Sequence, residues 1–417
     1  MIGFLNANIK EWRCLFNLLG LFIQQSQKRD SKSLKLDESL DWQFIYETAQ
    51  AHRVLPFLTV ALKENGNFER VPGKMRSQAI AFLQQAEWQN QVKMIEFNRI
   101  QRMFESQRIP IIPLKGIALT NLVYKEHPFR TMEDIDILIR KNDLEKVKNL
   151  MVEHGFQWVE LVNRWHASLI RELIGRGDMF NGDVALDLQW SSQFIINSQF
   201  CSLEWDQVWR RRIPCGELGD HVFLLHPNDQ ISYLSLQILS DMEANAPRLI
   251  QLLDLALVLK KYDVSCKKAA EAVVSHVNYF STEKVRMLFS SLDEYFFEPR
   301  PLKRFSESSR RFLELFLAAF HRNPLSFKIP INSVAASPWR RLVFVVSYFF
   351  PNRRYLKMDA STSAWQVITA YFNYWKSLAG RLSATIKEKG YFLGIVGKMY
   401  SRGKSAKKHW FKGQLKK

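Results

Sequence analysis

The sequence has little cysteine. Four cysteines occur among 417 residues, at Cys14, Cys201, Cys215 and Cys266, and none of them forms a CxxC pair. This spacing argues against a disulfide framework and against a zinc site, because both need paired or clustered thiols. It is typical of a reducing compartment, so we predict a cytoplasmic location.

Long hydrophobic runs are missing as well. One of the longest, "LVFVVSYFF" at 342–350, is far shorter than the roughly 20 apolar residues that a membrane-spanning helix needs. The first 25 residues are amphipathic, carry Lys10, Glu11 and Arg13, and lack a small-residue cleavage site. We therefore predict a folded helix there rather than a signal peptide.

Acidic residues are scarce at the C-terminal end. Residues 338–417 contain 17 Lys and Arg against 2 acids, whereas the rest of the chain contains 42 against 39. A basic block of this kind is typical of segments that contact polyanions, although it can also serve only for solubility. We predict contact of 338–417 with an anionic polymer or, peripherally, with a membrane surface.

The remaining pattern predicts an α+β protein in which a small mixed β-sheet lies between helical regions. We expect a helical N-terminal region at 1–107, an α/β core at 108–215, a helical domain at 216–330, and a basic helical region with a tail at 331–417. Apolar residues recur at helical spacing on both sides of the core, whereas "MEDIDILIR" alternates polar and apolar residues as a strand does.

The order of elements in the core predicts a mixed sheet rather than a doubly wound parallel one. "RIPIIPLKG" is predicted to be a buried strand, and "IALTNLVY" a helix. Asn181-Gly182 stands between two alternating segments, which is the strongest short signal for a hairpin.

Three acids are predicted to share one face of this sheet. Side chains two positions apart in a strand point the same way, so Asp134 and Asp136 share a face. The same rule places Asp187 opposite the buried leucines of "VALDLQW". If the strands are neighbours, the carboxylates repel one another unless a cation neutralises them, and oxygen ligands suit Mg²⁺ or Mn²⁺. An ordinary solvated strand face is the alternative.

Basic groups close to these acids are candidates for phosphate binding. Gly116 ends the first strand and allows close backbone approach, and the helix that follows offers N–H groups to an anion. Lys115 and Arg130 are predicted to hold phosphate oxygens. Taken alone, the Lys-Gly pair is also compatible with a simple turn.

The combination of "LKGIAL", "FRTMEDIDILI" and "LDLQW" resembles the nucleotidyltransferase superfamily related to DNA polymerase β. Within it the chain is similar to the uncharacterised bacterial nucleotidyltransferases, over about residues 30–260. The resemblance implies that Asp134, Asp136 and Asp187 are catalytic metal ligands, with Asp187 a candidate base for the acceptor. It implies that Lys115, Gly116 and Arg130 bind the nucleotide, and that the fold is a nucleotidyltransferase core.

The chain departs from the family pattern at three positions. Ile117 follows Gly116 where a small or hydroxyl residue is common, and Gln189 and Gln237 stand where related proteins often have histidine. These departures bear on acceptor specificity or on activity, whereas the three acids are intact.

Three functions remain open from the sequence. The first is Mg²⁺-dependent transfer of a nucleoside monophosphate from an NTP to an acceptor, and the resemblance favours a metabolite or a protein over RNA as that acceptor. The second is a catalytically weak nucleotide- or polyanion-binding protein that docks through its basic end. The third is a nucleic-acid enzyme or binder, because "KKHWFKGQLKK" interleaves aromatic and basic residues.

Overall fold

This computed structural model describes residues 8–25, 35–158, 171, 175–182, 184–196, 199–244, 247–276, 279–297, 306–320 and 369. The interpretation of 338–417 as a polyanion-binding region therefore lies outside the described residues, apart from residue 369. All contacts given below lie within one compact unit, drawn from residues 1–159 and 170–338. The predicted domain boundaries stay predictions.

Within the described residues before the sheet, four α-helices each bury an apolar face. In the first of them, Trp12, Phe16 and Leu19 recur every three or four residues and are buried, as expected for an amphipathic helix. The second is capped by Asp41, whose side chain accepts a hydrogen bond from the Phe44 N–H. These helices are α1 (Ile9–Gln25), α2 (Trp42–Ala51), α3 (Leu55–Glu64) and α4 (Gly73–Ser106).

The central sheet has five strands in the order β1-β2-β5-β4-β3. Its strands are β1 (Ile112–Pro113), β2 (Ile135–Leu138), β3 (Gln157–Trp158), β4 (Arg176–Phe180) and β5 (Ala185–Gln189). β2 and β5 are parallel, whereas the other neighbouring pairs are antiparallel. The predicted mixed sheet and the α+β class are confirmed.

Two helices connect the first strands of this sheet. They are α5 (Lys115–Leu122), between β1 and β2, and α6 (Leu144–Glu153), between β2 and β3. The hairpin predicted at Asn181-Gly182 joins β4 to β5. The Asn181 side chain accepts a hydrogen bond from the Val184 N–H, 2.9 Å away, and so closes the turn.

The two faces of the sheet contribute to different cores. Ile135, Ile137 and Leu186 pack on one side with α4 and α6, in a core of their own. Leu138 points to the opposite side and belongs to the large core that the helical regions build. Both faces of β2 are therefore covered, and a polar side chain on either face needs a specific partner.

Helices dominate again after the sheet. Two short hairpins come first, formed by β6 (Gln193–Ile196) with β7 (Gln199–Ser202) and by β8 (Ile213–Pro214) with β9 (Phe223–Leu224). The helices are α7 (Trp205–Arg211), α8 (Pro227–Ala244), α9 (Leu249–Lys261), α10 (Cys266–Val274), α11 (Tyr279–Leu292) and α12 (Glu307–Phe320). Across the described ranges, no helix is both long and apolar enough to pass through a bilayer.

Candidate active site

The three predicted acids meet at the centre of the sheet. Asp136 on β2 stands directly beside Asp187 on the parallel strand β5, and Asp134 lies just before β2. One carboxylate oxygen from each lies within 4.8 Å of the other two. Asp136 and Asp187 are buried, at 3% and 5% exposed, while Asp134 is half-buried. The cluster is therefore reached from the Asp134 side.

Lys115 places its ammonium among these carboxylates. Its Nζ lies 2.6 Å from Asp136 Oδ1 and 3.9 Å from Asp187 Oδ2. Burial alone lowers the pKa of Lys115, but the charge of Asp136, with those of Asp187 and Asp134, raises it well above its usual range. Lys115 is thus a charged group that neutralises part of the acid cluster, rather than a side chain directed to solvent.

The acid cluster still has more negative charge than Lys115 balances. Burial raises the pKa of Asp136 well above its ordinary value, and Asp134 and Asp187 raise it further, while Lys115 lowers it. Among the described residues, the buried Oδ1 of Asp187 has no hydrogen-bond partner. An oxygen-only ligand set with an unsatisfied buried carboxylate oxygen fits a hard divalent cation such as Mg²⁺ or Mn²⁺.

Gln189 orients the third acid. Its Nε2 donates a hydrogen bond to Asp187 Oδ2 at 2.8 Å, and its Oε1 accepts from Tyr233 Oη at 3.1 Å and from Ser192. Gln189 is fully buried beneath α8, which carries Tyr233. The residue that departs from the family pattern therefore ties Asp187 to the helical region.

Gln237 is the other glutamine that stands where related proteins often have histidine, and its hydrogen bond is to a residue outside the acid cluster. It lies one helical turn beyond Tyr233 on α8, and its Nε2 donates to Asp241 Oδ1 at 2.7 Å. The structure therefore does not place it in hydrogen-bond contact with the three acids. The effect of either glutamine on activity stays a prediction.

Gly116 is required by close packing at the start of α5. A Cβ at this position would lie 2.5 Å from both Cγ and Sδ of Met132, and 3.2 Å from Arg130 Nη1. Ile117, the next residue, is buried in the core under the sheet. The small residue predicted to approach phosphate is thus also the one that lets α5 pack against the loop before β2.

Arg130 is held by a carboxylate of the helical region. Its Nε and Nη2 donate to Asp254 Oδ1 and Oδ2 at 2.8 Å and 2.5 Å, and Tyr124 Oη donates to Oδ1 at 2.7 Å. The third nitrogen, Nη1, is the one that lies near Gly116. The predicted phosphate contact of Arg130 stays a prediction, and only Nη1 is directed to the glycine turn.

A fourth acid escaped the sequence analysis. Asp178 on β4 is the direct cross-strand partner of Asp187, so its side chain lies on the same face of the sheet. Partial burial and the charge of Asp187 raise the pKa of Asp178 to about 6. Next to it on the same strand face, Arg176 stands opposite Gln189. The hairpin signal was the clue, since β4 had to pair with the strand that carries Asp187.

The mixed sheet carries the acids on two neighbouring parallel strands, an arrangement that agrees with the class of nucleotidyltransferases. More specifically, the chain belongs to the family described as uncharacterised nucleotidyltransferase, whose model matches residues 38–280. That match spans more than half of the chain and contains all three acids. The predicted family membership is confirmed, and it supports nucleotidyl transfer as the activity.

Solved structures of one antibiotic-resistance factor are similar to part of the chain. The crystal structure of ANT(2″)-Ia with adenylyl-2″-tobramycin is 12% identical, covering 44% of this chain and 97% of that one, with a TM-score of 0.33. The solution structure of ANT(2″)-Ia is 14% identical, covering 44% and 90%, with a TM-score of 0.31. No curated protein matches the sequence.

Proposed function

We propose that this protein transfers a nucleoside monophosphate from an NTP to an acceptor and releases pyrophosphate. The observation that carries the proposal is the meeting of Asp134, Asp136 and Asp187 within 4.8 Å of one another. Three carboxylates at this distance, two of them buried, are costly without a cation. The unsatisfied Oδ1 of Asp187 supports a ligand role in particular.

The three acids would hold Mg²⁺ or Mn²⁺. Such an ion neutralises charge on the α-phosphate and on the leaving pyrophosphate. In the reaction, an acceptor oxygen or nitrogen forms a bond to the α-phosphorus, and the bond from that phosphorus to the β-phosphate bridging oxygen breaks. The acceptor proton passes to a base, for which Asp187 is the candidate.

The residues around the acids have positioning roles in this proposal. Gln189 fixes Asp187 through a hydrogen bond of 2.8 Å. Lys115 pairs with the acids, with Nζ 2.6 Å from Asp136 Oδ1, and would contact a phosphate oxygen of the bound nucleotide. The N-terminus of α5 at Gly116, with Arg130 Nη1 beside it, offers further donors to phosphate.

A nucleotide-binding protein with little turnover is the second candidate. The contact of 2.6 Å between Lys115 Nζ and Asp136 favours this second candidate, because the ammonium group already neutralises part of the charge that a metal ion would neutralise. The enzyme would take an NTP and an acceptor, for which a metabolite or a protein is favoured over RNA, whereas the binding protein would hold a nucleotide or a polyanion. A cytoplasmic location, and contact of 338–417 with an anionic surface, rest on composition alone.

The test combines nucleotide binding with transfer. Each NTP is titrated with Mg²⁺ by calorimetry into the wild type, into the double variant Asp134→Asn/Asp136→Asn, and into Asp220→Asn, which alters an exposed acid outside the site. We expect metal-dependent binding in the wild type and in Asp220→Asn, and its loss in the double variant. An NTP labelled at the α-phosphate then reports transfer to candidate acceptors. Equal binding by all three proteins would remove the support for the acid site.

A further inference from the structure

Glu133, the first acid of the "EDID" stretch, lies outside the metal cluster and is bound by two arginines. Arg53 Nη2 contacts Oε1 of Glu133, and Arg248 Nη1 lies 3.5 Å from Oε2. The Glu133 side chain is 67% exposed, whereas those of Arg53 and Arg248 are 19% and 34% exposed. A single accessible carboxylate is therefore shared by two partly buried cations.

The fold brings these two arginines together from remote parts of the sequence. Arg53 follows α2 and has a backbone φ of 61°, a left-handed conformation that few non-glycine residues adopt. Arg248 directly precedes α9. The loops that carry them are hydrogen-bonded to each other, since the Ile250 N–H donates to the His52 carbonyl at 3.3 Å. The spacing of the two side chains is thus built into the backbone.

The two arginines at this place share a single carboxylate in direct contact. Burial, together with the charges of Arg248 and Arg130, lowers the pKa of Arg53 to about 10, against the attraction of Asp134. Arg130 is already neutralised by Asp254. Among the described residues, Glu133 is thus the acid in ion-pair contact with Arg53 and Arg248, and two cations that share one carboxylate suit a polyanion.

The arginine pair adjoins the acid cluster. Glu133 and Asp134 are neighbours in the chain, and the charge of Asp134 acts on both arginines. Against the lowering effect of burial, Asp134 raises the pKa of Arg53, and Asp241 followed by Asp134 raises the pKa of Arg248. The half-buried Asp134 marks the accessible side of the cluster. The two arginines therefore lie beside the accessible end of the acid cluster, toward which the distal phosphates of a triphosphate bound at the acids would extend.

We propose that Arg53 and Arg248 bind the β- and γ-phosphates of the NTP and then the released pyrophosphate, and that Glu133 occupies them until the phosphates displace it. The exchange replaces one ion pair by another, with no covalent change. Arginine suits this role because its planar fork donates two hydrogen bonds to a phosphate group. This inference rests on the proposed function and names the groups that receive the leaving group.

The test uses inorganic pyrophosphate with Mg²⁺ as the probe, measured by calorimetry on the full chain. Arg53→Gln and Arg248→Gln are expected to weaken binding about tenfold or more, because each loses a charge-assisted hydrogen bond. Arg102→Gln removes the same charge from the exposed surface of α4 and is expected to bind as the wild type does. Thermal melting of each variant reports the folded state.

The variant Glu133→Gln distinguishes a phosphate-binding role of the two arginines from a purely structural one. In this variant the carboxylate that competes with phosphate is neutral, so we expect pyrophosphate to bind several-fold more tightly. A misfolded or loosened site would instead bind pyrophosphate more weakly. Absence of pyrophosphate binding by the wild type, affinities of the arginine variants equal to that of Arg102→Gln, or weaker binding by Glu133→Gln would each overturn the inference.

The outcomes also separate this inference from the proposed function. In one outcome, pyrophosphate binding depends on the arginines while NTP binding does not depend on Asp134 and Asp136. That result would contradict the nucleotidyltransferase proposal and leave only an anion-binding site. Acid-dependent NTP binding with unchanged pyrophosphate affinity in the arginine variants would sink only the inference about Arg53 and Arg248.

Discussion

Replacing Asp254 with alanine removes the carboxylate that holds Arg130 beside the acid strand. The Arg130 side chain is 9% exposed and that of Asp254 is 2% exposed, so the variant leaves a buried guanidinium without its partner. Loss of one partner of a buried ion pair costs about 3–5 kcal/mol of the free energy of unfolding. Tyr124 also loses its acceptor, which adds about 1 kcal/mol.

Urea denaturation followed by circular dichroism measures this loss. With a slope of about 3 kcal/mol per M, a loss of 3–5 kcal/mol lowers the urea midpoint by about 1–2 M. Two controls bracket the result. Tyr124→Phe removes a single hydrogen bond and is expected to cost about 1 kcal/mol. The double variant Arg130→Met/Asp254→Leu removes both charges and is expected to lose only about 1 kcal/mol, because no unpaired charge remains and only the Tyr124 hydroxyl lacks its acceptor.

A loss below about 1 kcal/mol in Asp254→Ala would refute the reasoning. It would mean that Arg130 finds another carboxylate, for which Asp136 is the candidate. Burial lowers the pKa of Arg130, whereas Asp254 most strongly, and Asp136 to a smaller degree, raise it. The double variant also tests the phosphate role of Arg130. If it folds normally but binds NTP much more weakly, Nη1 contributes to nucleotide binding.

Three further predictions concern single side chains. Lys115→Gln should tighten Mg²⁺ binding without nucleotide by about tenfold or more, because the ammonium within 4 Å of the acids no longer competes; calorimetry checks this, and weaker binding would contradict it. Gly116→Ala should cost about 1–3 kcal/mol in urea denaturation through overpacking, whereas Gly216→Ala, with no atom within 4 Å of its added carbon, should cost nothing measurable. Burial raises the pKa of both Cys14 and Cys266 to about 12, so iodoacetamide at pH 8 should leave both unmodified in the native protein and modify both in urea, as mass spectrometry would show.

The sheet and the convergence of the acids could be predicted from local pattern. Alternation with period two assigns Ile135 and Ile137 to one face and Asp136 to the other, whatever the rest of the chain does. Asp187 alternates with leucines in the same way. Once β2 and β5 are neighbours, the acids must meet. The roles of these acids in catalysis remain predictions, since geometry alone does not measure turnover.

The pairing of charges between distant elements could not be predicted. Arg130 with Asp254, and Arg53 with Glu133, join the sheet to helical regions far away in the sequence. A charged residue in a helix carries no local signal that names its partner, because ion pairs depend on tertiary packing. The sequence therefore predicts a phosphate contact for Arg130, whereas in the structure two of its three side-chain nitrogens donate hydrogen bonds to Asp254.

Hairpin register explains why Asp178 escaped notice. A two-residue loop centred on Asn181-Gly182 would have paired Asp178 with Ala185, outside the acid cluster. The observed register pairs Phe180 with Ala185, and it moves Asp178 opposite Asp187. Loop length sets register in a hairpin, and the Asn-Gly signal marks the turn without fixing that length.

On the proposed role of the three acids as metal ligands, affinity for a cation depends on the alignment of β2 with β5. Ile135 stands beside Leu186, and Asp136 beside Asp187, so slipping β5 by one residue would turn Asp187 into the core and a leucine toward the lysine. The apolar contacts on the far side of the sheet hold this alignment without touching the acids. Substitutions in that core should therefore reveal themselves as weakened cation binding before the chain unfolds, and a simple titration of Mg²⁺ would report whether the sheet has assembled in register.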